Sequence, residues 1–122
     1  MTLQDLLEHC SGLPGHRRYW EQRRGRASFE LAICEEPLDY PPRTQSIYSD
    51  PGFMLLGFAL ENAAGAPLDQ QFHAWRDREL GDTELAFRPP AIWRPRIAPT
   101  ENTASGDERR GEVHDENAAA LG

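Results

Sequence analysis

The stretch that most constrains this chain runs from Phe53 to Ala64, apolar on nearly every face and interrupted only by Glu61 and Asn62. A segment hydrophobic all round has no natural solvent face, so it predicts a buried helix against which other elements must pack. Its punctuation agrees. Asp50 has the chemistry of an N-cap, since a carboxylate accepts from the free amides of a first turn. Pro51 then falls at the first helical position, where a missing N–H costs nothing. Gly65 is placed as a C-terminal cap. Directly ahead stands Tyr48-Ser49-Asp50, a polar corner at the mouth of a buried helix, where reactive side chains can be held rigidly.

Composition narrows what that corner can serve. The 122 residues suffice for one modest domain. The hydrophobic share is 39%, and ten prolines and ten glycines imply much irregular chain. A net charge of −7 disfavours nucleic acid or an anionic membrane as partner. All 13 basic residues are arginine, which a coding bias explains more simply than selection for guanidinium geometry. The consequence for chemistry is sharp: no Ser-x-x-Lys nucleophile, no lysine base and no Lys-Thr-Gly strand can be built from these residues. Arg17, Arg18, Arg23, Arg24 and Arg26 read as a solvated surface loop. Cys10 and Cys34 match neither a metal spacing nor a Cys-x-x-Cys pair, so they read as ordinary thiols, and no cofactor is expected. No apolar run approaches the roughly 20 residues needed to span a bilayer. Met1 is not followed by a secretion signal. The compartment stays open: cytoplasmic, or periplasmic or secreted if an upstream signal is missing.

Taken in order, the chain begins with Thr2 as N-cap and Asp5 three residues on, close to a capping box. Leu3, Leu6, Leu7 and Cys10 fall on one helical face. Gly12 and Pro14 stop that helix. Arg17-Arg18-Tyr19-Trp20 suits an amphipathic surface turn. Phe29 to Cys34 fits a short strand or a helix, which periodicity at that length does not separate. Three prolines make Glu35 to Arg43 an extended loop. Pro67 favours a second helix start. Leu68, Phe72, Trp75 and Leu80 mark one face of that helix, His73 is expected to face solvent, and Gly81 ends it. Residues 88–96 connect, and residues 101–111 read as a flexible loop. His114-Asp115-Glu116 invites a metal reading, but adjacent residues on extended chain point apart and no second cluster adds ligands. Hydrogen bonds to neighbouring backbone are the expected job, and no metal site is assigned.

Several of these segments carry a resemblance. Tyr48-Ser49-Asp50 followed by Phe53-Met54-Leu55-Leu56-Gly57 resembles the Tyr-x-Asn motif and hydrophobic helix of the β-lactamase-related serine hydrolases. That family embraces class C β-lactamases, penicillin-binding DD-peptidases and esterases. Thr2-Leu3 through Ser11-Gly12-Leu13-Pro14 resembles its Thr-Leu-x-x-Leu-Leu-x-His-x-Ser-Gly-Leu-Pro signature, in which the residue matching His9 is structural. Gly65-x-Pro67-Leu68, Leu80-Gly81 with Thr83 and Phe87, Ala98-x-Thr100-Glu101 and Gly111-x-Val113-His114-Asp115-x-Asn117-Ala118 follow in the family's order. The region between Pro14 and Ile47 diverges. The resemblance implies a mainly α chain: a partial helical lobe of the β-lactamase/transpeptidase-like α+β fold, with long loops, over residues 1–122. The nucleophile helix and the final strand motif are not among the matched segments.

What the resemblance implies for chemistry is acyl transfer through a serine acyl-enzyme on a small ester or amide substrate. Tyr48 would be the proton shuttle between nucleophile and leaving group. A phenol with the reference pKa of about 10 is a poor base at neutral pH, so a nearby cation is needed to favour phenolate. Asp50 stands where relatives carry asparagine, the residue that contacts the catalytic lysine and the substrate amide. A carboxylate removes a donor and adds charge, which disfavours β-lactam hydrolysis and favours an ester-like or other acyl substrate. Ser11, Ser28, Ser46, Ser49 and Ser105 are the available serines, and none has a lysine three residues on. The expectation is a hydrolase fragment that is inactive alone; whether a partner chain supplies the missing motifs stays open. The alternative is a non-catalytic helical binding module that keeps the scaffold.

Overall fold

The computed structural model describes residues 1–81, 83–102 and 106–122. Five α-helices carry the fold: α1 (Leu3–Leu7), α2 (Arg26–Glu35), α3 (Asp50–Ala64), α4 (Leu68–Glu79) and α5 (Glu116–Leu121). Two 3-10 turns, Tyr19–Glu21 and Ala91–Arg96, lie between them. One antiparallel pair of two-residue strands, β1 (Glu101–Asn102) and β2 (Glu108–Arg109), is the only sheet among the described residues. The architecture is mainly α. Of the 101–111 segment, residues 103–105 lie outside the described residues, as does Asp82 after Gly81.

The core forms where α1, α2, the Tyr19 turn and α5 meet the inner side of α3. Phe29, Ala32 and Ile33 fall at i, i+3 and i+4 of α2 and are all buried against Leu6, Leu13, Tyr19, Leu56 and Phe58. The Phe29–Cys34 segment is therefore helical, its apolar stripe matching a helix period rather than a strand period. In α1 the capping box closes fully: Thr2 Oγ1 accepts from Asp5 N–H, and Asp5 accepts from Thr2 N–H. Its apolar face is narrower than the spacing predicts. Leu6 is buried while Leu3 and Leu7 are more than half exposed, because the helix ends before Cys10 and meets α3 along one line.

Two corrections concern α3. Ser49, not Asp50, is the N-cap: its Oγ accepts from Gly52 N–H at 3.1 Å and donates to the Pro14 carbonyl at 2.7 Å. Both residue types cap well, but only the shorter serine reaches both partners from a buried position. Asp50 and Pro51 move one place into the helix. Nor is α3 buried all round. Phe53 and Leu60 are 46% and 43% exposed, and only Pro51, Gly52, Leu56 and Phe58 are fully covered. Elements to cover its other side are not among those described. Gly65 takes the left-handed cap conformation, φ 65°, as its sequence position predicts.

Glu61, the charge that interrupts the apolar run, is a joint. It pairs with Arg26 of α2 at 2.9 Å and caps α4 by accepting from Leu68 N–H at 2.8 Å. Arg26 also lies over the Phe58 ring and donates to the Phe58 carbonyl. Pro67 is the N-cap of α4 rather than its first residue. No residue of α4 is fully buried, and Trp75 is 44% exposed beside Phe72, which meets Phe87 edge-on. His73 does not face solvent as its neighbours suggest: it is half-buried with Nε2 shielded from water.

The divergent stretch before Tyr48 is stitched to the segment after α1. Asp39 N–H donates to Gly12, Arg43 N–H to Cys10, Ile47 N–H to His9 and Asp50 N–H to Gly15. Arg43 reaches past this seam to Asp5, at 2.6 Å. Asp5 is almost wholly buried. Burial opposes its ionisation, but bonds from Thr2 and Arg43 outweigh that cost and hold the carboxyl below its ordinary range.

Candidate active site

Tyr48 stands 70% exposed at the start of α3. It opens onto a cavity of about 660 Å³ whose wall includes Asp50, Phe53, Met54, Phe58, Leu68, Asp115 and Leu121. The cavity is apolar along its floor and acidic at its mouth. That floor is the uncovered side of α3, joined by the start of α4 and the end of α5.

The structure brings both sequence-assigned residues, Tyr48 and Asp50, to that mouth. The Asp50 carboxylate shares that mouth with the Tyr48 hydroxyl. By hydrogen bonding first and charge second, with burial and Asp115 adding to it, it pushes the phenol above its ordinary pKa. This is the wrong direction for a base. Phenolate at this position requires a cation that outweighs the two carboxylates.

A residue that spacing gave no reason to select completes the corner. His16 Nδ1 lies 2.9 Å from Asp50 Oδ2. An ionised carboxylate only accepts, so Nδ1 carries the proton. His16 is half exposed, and its ring is tilted 5.7 Å from that of Trp20. The two residues are 34 apart in sequence, and the Asp50–Gly15 and Ser49–Pro14 bonds make them neighbours. The nearest sequence signal was His16 following the Gly-Leu-Pro-Gly turn, which fixes no partner.

Three of the described serines have their hydroxyls engaged by backbone groups. Ser49 is 1% exposed, with its hydroxyl committed to Gly52 and Pro14. Ser11 is buried and accepts from Leu13 N–H. Ser46 donates to the Glu8 carbonyl. Ser105 lies outside the described residues.

The His114–Asn117 segment orders backbone. Asp115 caps α5 through Ala118 N–H at 2.7 Å. Asn117 is fully buried, accepting from Trp20 N–H and donating to the Arg17 carbonyl. His114 lies 3.5 Å from Glu101. No cluster of three or more His, Cys, Asp or Glu suited to a metal occurs among the described residues. Nor, among them, is any helix long and apolar enough to cross a membrane.

Comparison with known proteins bears on the family of the chain. An Escherichia coli K12 protein named "Putative D-alanyl-D-alanine carboxypeptidase" is 34% identical over 125 residues, covering 93% of this chain and 28% of the relative. A Salmonella gallinarum protein of the same name is 32% identical over 139 residues, covering 97% of this chain and 32% of the relative. The chain thus spans under a third of the length of these curated relatives. No solved structure gives a significant match. The β-lactamase family profile matches residues 1–121, and the chain belongs to the β-lactamase family.

Proposed function

We propose that this chain is the helical lobe of a serine hydrolase that works through an acyl-enzyme on a small ester or amide, of the D-alanyl-D-alanine carboxypeptidase or esterase type. Tyr48 is the proton shuttle and Asp50 its orienting partner. The lobe does not turn over substrate alone. The observation that carries the reading is Tyr48 itself, an exposed phenol at the mouth of an apolar cavity, with carboxylates that oppose its ionisation.

A tyrosine so placed becomes a base only when an ammonium or guanidinium approaches from the cavity side. The chain has no lysine. The arginine that lines the cavity, Arg26, is spent on Glu61, Asn62 and the Phe58 carbonyl. The missing cation and nucleophile therefore enter with whatever covers the open side of α3. Asp50 favours an ester or plain amide over a β-lactam, because it cannot donate to a substrate carbonyl as an asparagine amide does.

Incubating the isolated chain with a chromogenic ester and with a fluorescent penicillin is the test. Neither acylation nor turnover is expected, and a burst of acylation would overturn the proposal. The same chain should bind a hydrophobic dye at the cavity. A self-sufficient binding module, with its apolar side covered, would leave the dye dark and melt in one sharp transition.

A further inference from the structure

The residues on either side of Tyr48 are both held by His9. Its carbonyl oxygen accepts from Ile47 N–H at 3.0 Å, and its ring Nδ1 accepts from Ser49 N–H at 3.2 Å. The same carbonyl takes the Tyr40 hydroxyl at 3.1 Å. The ring packs between Tyr48, with centroids 4.9 Å apart, and Phe53, nearly parallel at 4.6 Å. His9 adopts a left-handed backbone, φ 55°, at the exit of α1.

A backbone N–H can only donate, so Nδ1 is the unprotonated nitrogen and the neutral ring keeps its proton on Nε2. Taking up a second proton turns Nδ1 into a donor facing another donor. The bond to Ser49 cannot survive that change. We propose that His9 is the positioning residue of Tyr48, and that it holds the tyrosine corner only while Nδ1 is unprotonated.

The groups facing the ring leave this switch in place. From the loop before α3 come two phenols, Tyr48 and Tyr40, with the Asp50 carboxylate beyond Tyr48. From α3 itself comes the apolar Phe53. Glu8 and Cys10 flank it in sequence, and Asp5 behind Cys10 is spent on Thr2 and Arg43. No ion pair to His9 occurs among the described residues. Ser49 also keeps its hydroxyl bonds to Gly52 and Pro14, so α3 stays capped when the clamp opens. The change is local to Tyr48 and its neighbours. Its catalytic consequence rests on Tyr48 being the proton shuttle; the clamp itself does not.

The test is NMR on the isotopically labelled full chain, with no substrate, so that its failure is distinct from a failure of the hydrolase assignment. Ser49 and Tyr48 amide resonances are followed over about pH 5 to 8, the window in which imidazoles change charge, with the His9 ring C–H signals as internal reporter. Both amides should shift with the midpoint of the His9 ring. Exchange protection of Ser49 N–H, corrected for the intrinsic rate, should fall on the acid side by roughly tenfold, the equivalent of one ordinary hydrogen bond. His9→Asn retains an acceptor where Nδ1 stood and tolerates the left-handed backbone, but takes up no proton. It should keep Ser49 protected and flat with pH. His9→Ala should leave Ser49 poorly protected throughout. Ser49 unmoved across the His9 titration overturns the proposal even if both variants misfold. So does a His9→Asn chain that repeats the wild-type pH dependence.

Discussion

His16 and Asp50 meet at 2.9 Å across a backbone crossing that the sequence does not announce. The carboxylate thereby accepts from an imidazole N–H while it also raises the pKa of the nearby Tyr48 phenol. An asparagine at position 50 would offer one acceptor and one donor group; an aspartate offers acceptors to both neighbours. An aspartate here, where the resemblance implies an asparagine, is thus matched by a local partner.

That pairing predicts how Tyr48 titrates. Tyr19 and Tyr40 are buried, and Tyr19 is held well above the ordinary phenol range, first by burial and then by its bond to Glu36. Tyr48 should therefore ionise before Tyr19 on raising the pH, still above its ordinary value of about 10. Asp50→Asn removes the main cause of the upward shift, so the Tyr48 phenolate transition should move to lower pH. Near-ultraviolet absorbance reads this directly. A transition unchanged in Asp50→Asn would remove Asp50 as the controlling group.

Asp5 gives the chain an acid limit. Its carboxyl is lowered in the folded state, so ionised Asp5 stabilises the fold at every pH above the unfolded carboxyl value of about 4. That stability is lost as pH falls through the lower folded value. Thermal melting of the wild type should therefore decline more steeply below about pH 4 than that of Asp5→Asn, which is less stable at neutral pH. Arg43→Ala should flatten the acid profile in part, since the Thr2 bonds remain. Parallel acid profiles for all three chains would contradict the assignment.

Gly12 is the residue the seam cannot exchange. It has φ 86°, and a Cβ there would lie 2.2 Å from the Tyr40 carbonyl oxygen. Backbone strain and a clash with main chain act together, so Gly12→Ala should destabilise by about 3 kcal/mol or more in urea unfolding. Gly25 has a similar φ, 71°, with nothing near its missing side chain. Gly25→Ala, at φ 71° and ψ 158°, should cost only the conformational part, about 2 kcal/mol and less than at Gly12. Equal costs at the two sites would show that the close approach to Tyr40 is absent in solution.

Asn117 ties the end of the chain to its beginning. Truncation to alanine leaves the half-buried Trp20 N–H and Arg17 carbonyl without their partner and should cost about 1 to 3 kcal/mol. Because Gly25 N–H also donates to Ala120, amide exchange should accelerate at Trp20 and Gly25 together. Faster exchange confined to α5 would mean that the helix is not what holds the Tyr19 turn.

The sequence by itself determined the local elements. Capping chemistry at Thr2 and Asp5, the apolar density of 53–64, the glycine stop at Gly65 and the ordered family motifs each depend on residues within one or two turns of one another. The family and the mainly helical class follow from them. What only the tertiary structure decided depends on contacts far apart in sequence. Ser49 rather than Asp50 caps α3 because the Pro14 carbonyl sits 2.7 Å from its hydroxyl. His9 clamps both flanks of Tyr48, and His16 reaches Asp50, because the 38–47 loop is sewn to the segment after α1. The sides of α3 left open follow from which helices are there to cover it, and an apolar run looks the same in sequence whether or not its partners are present.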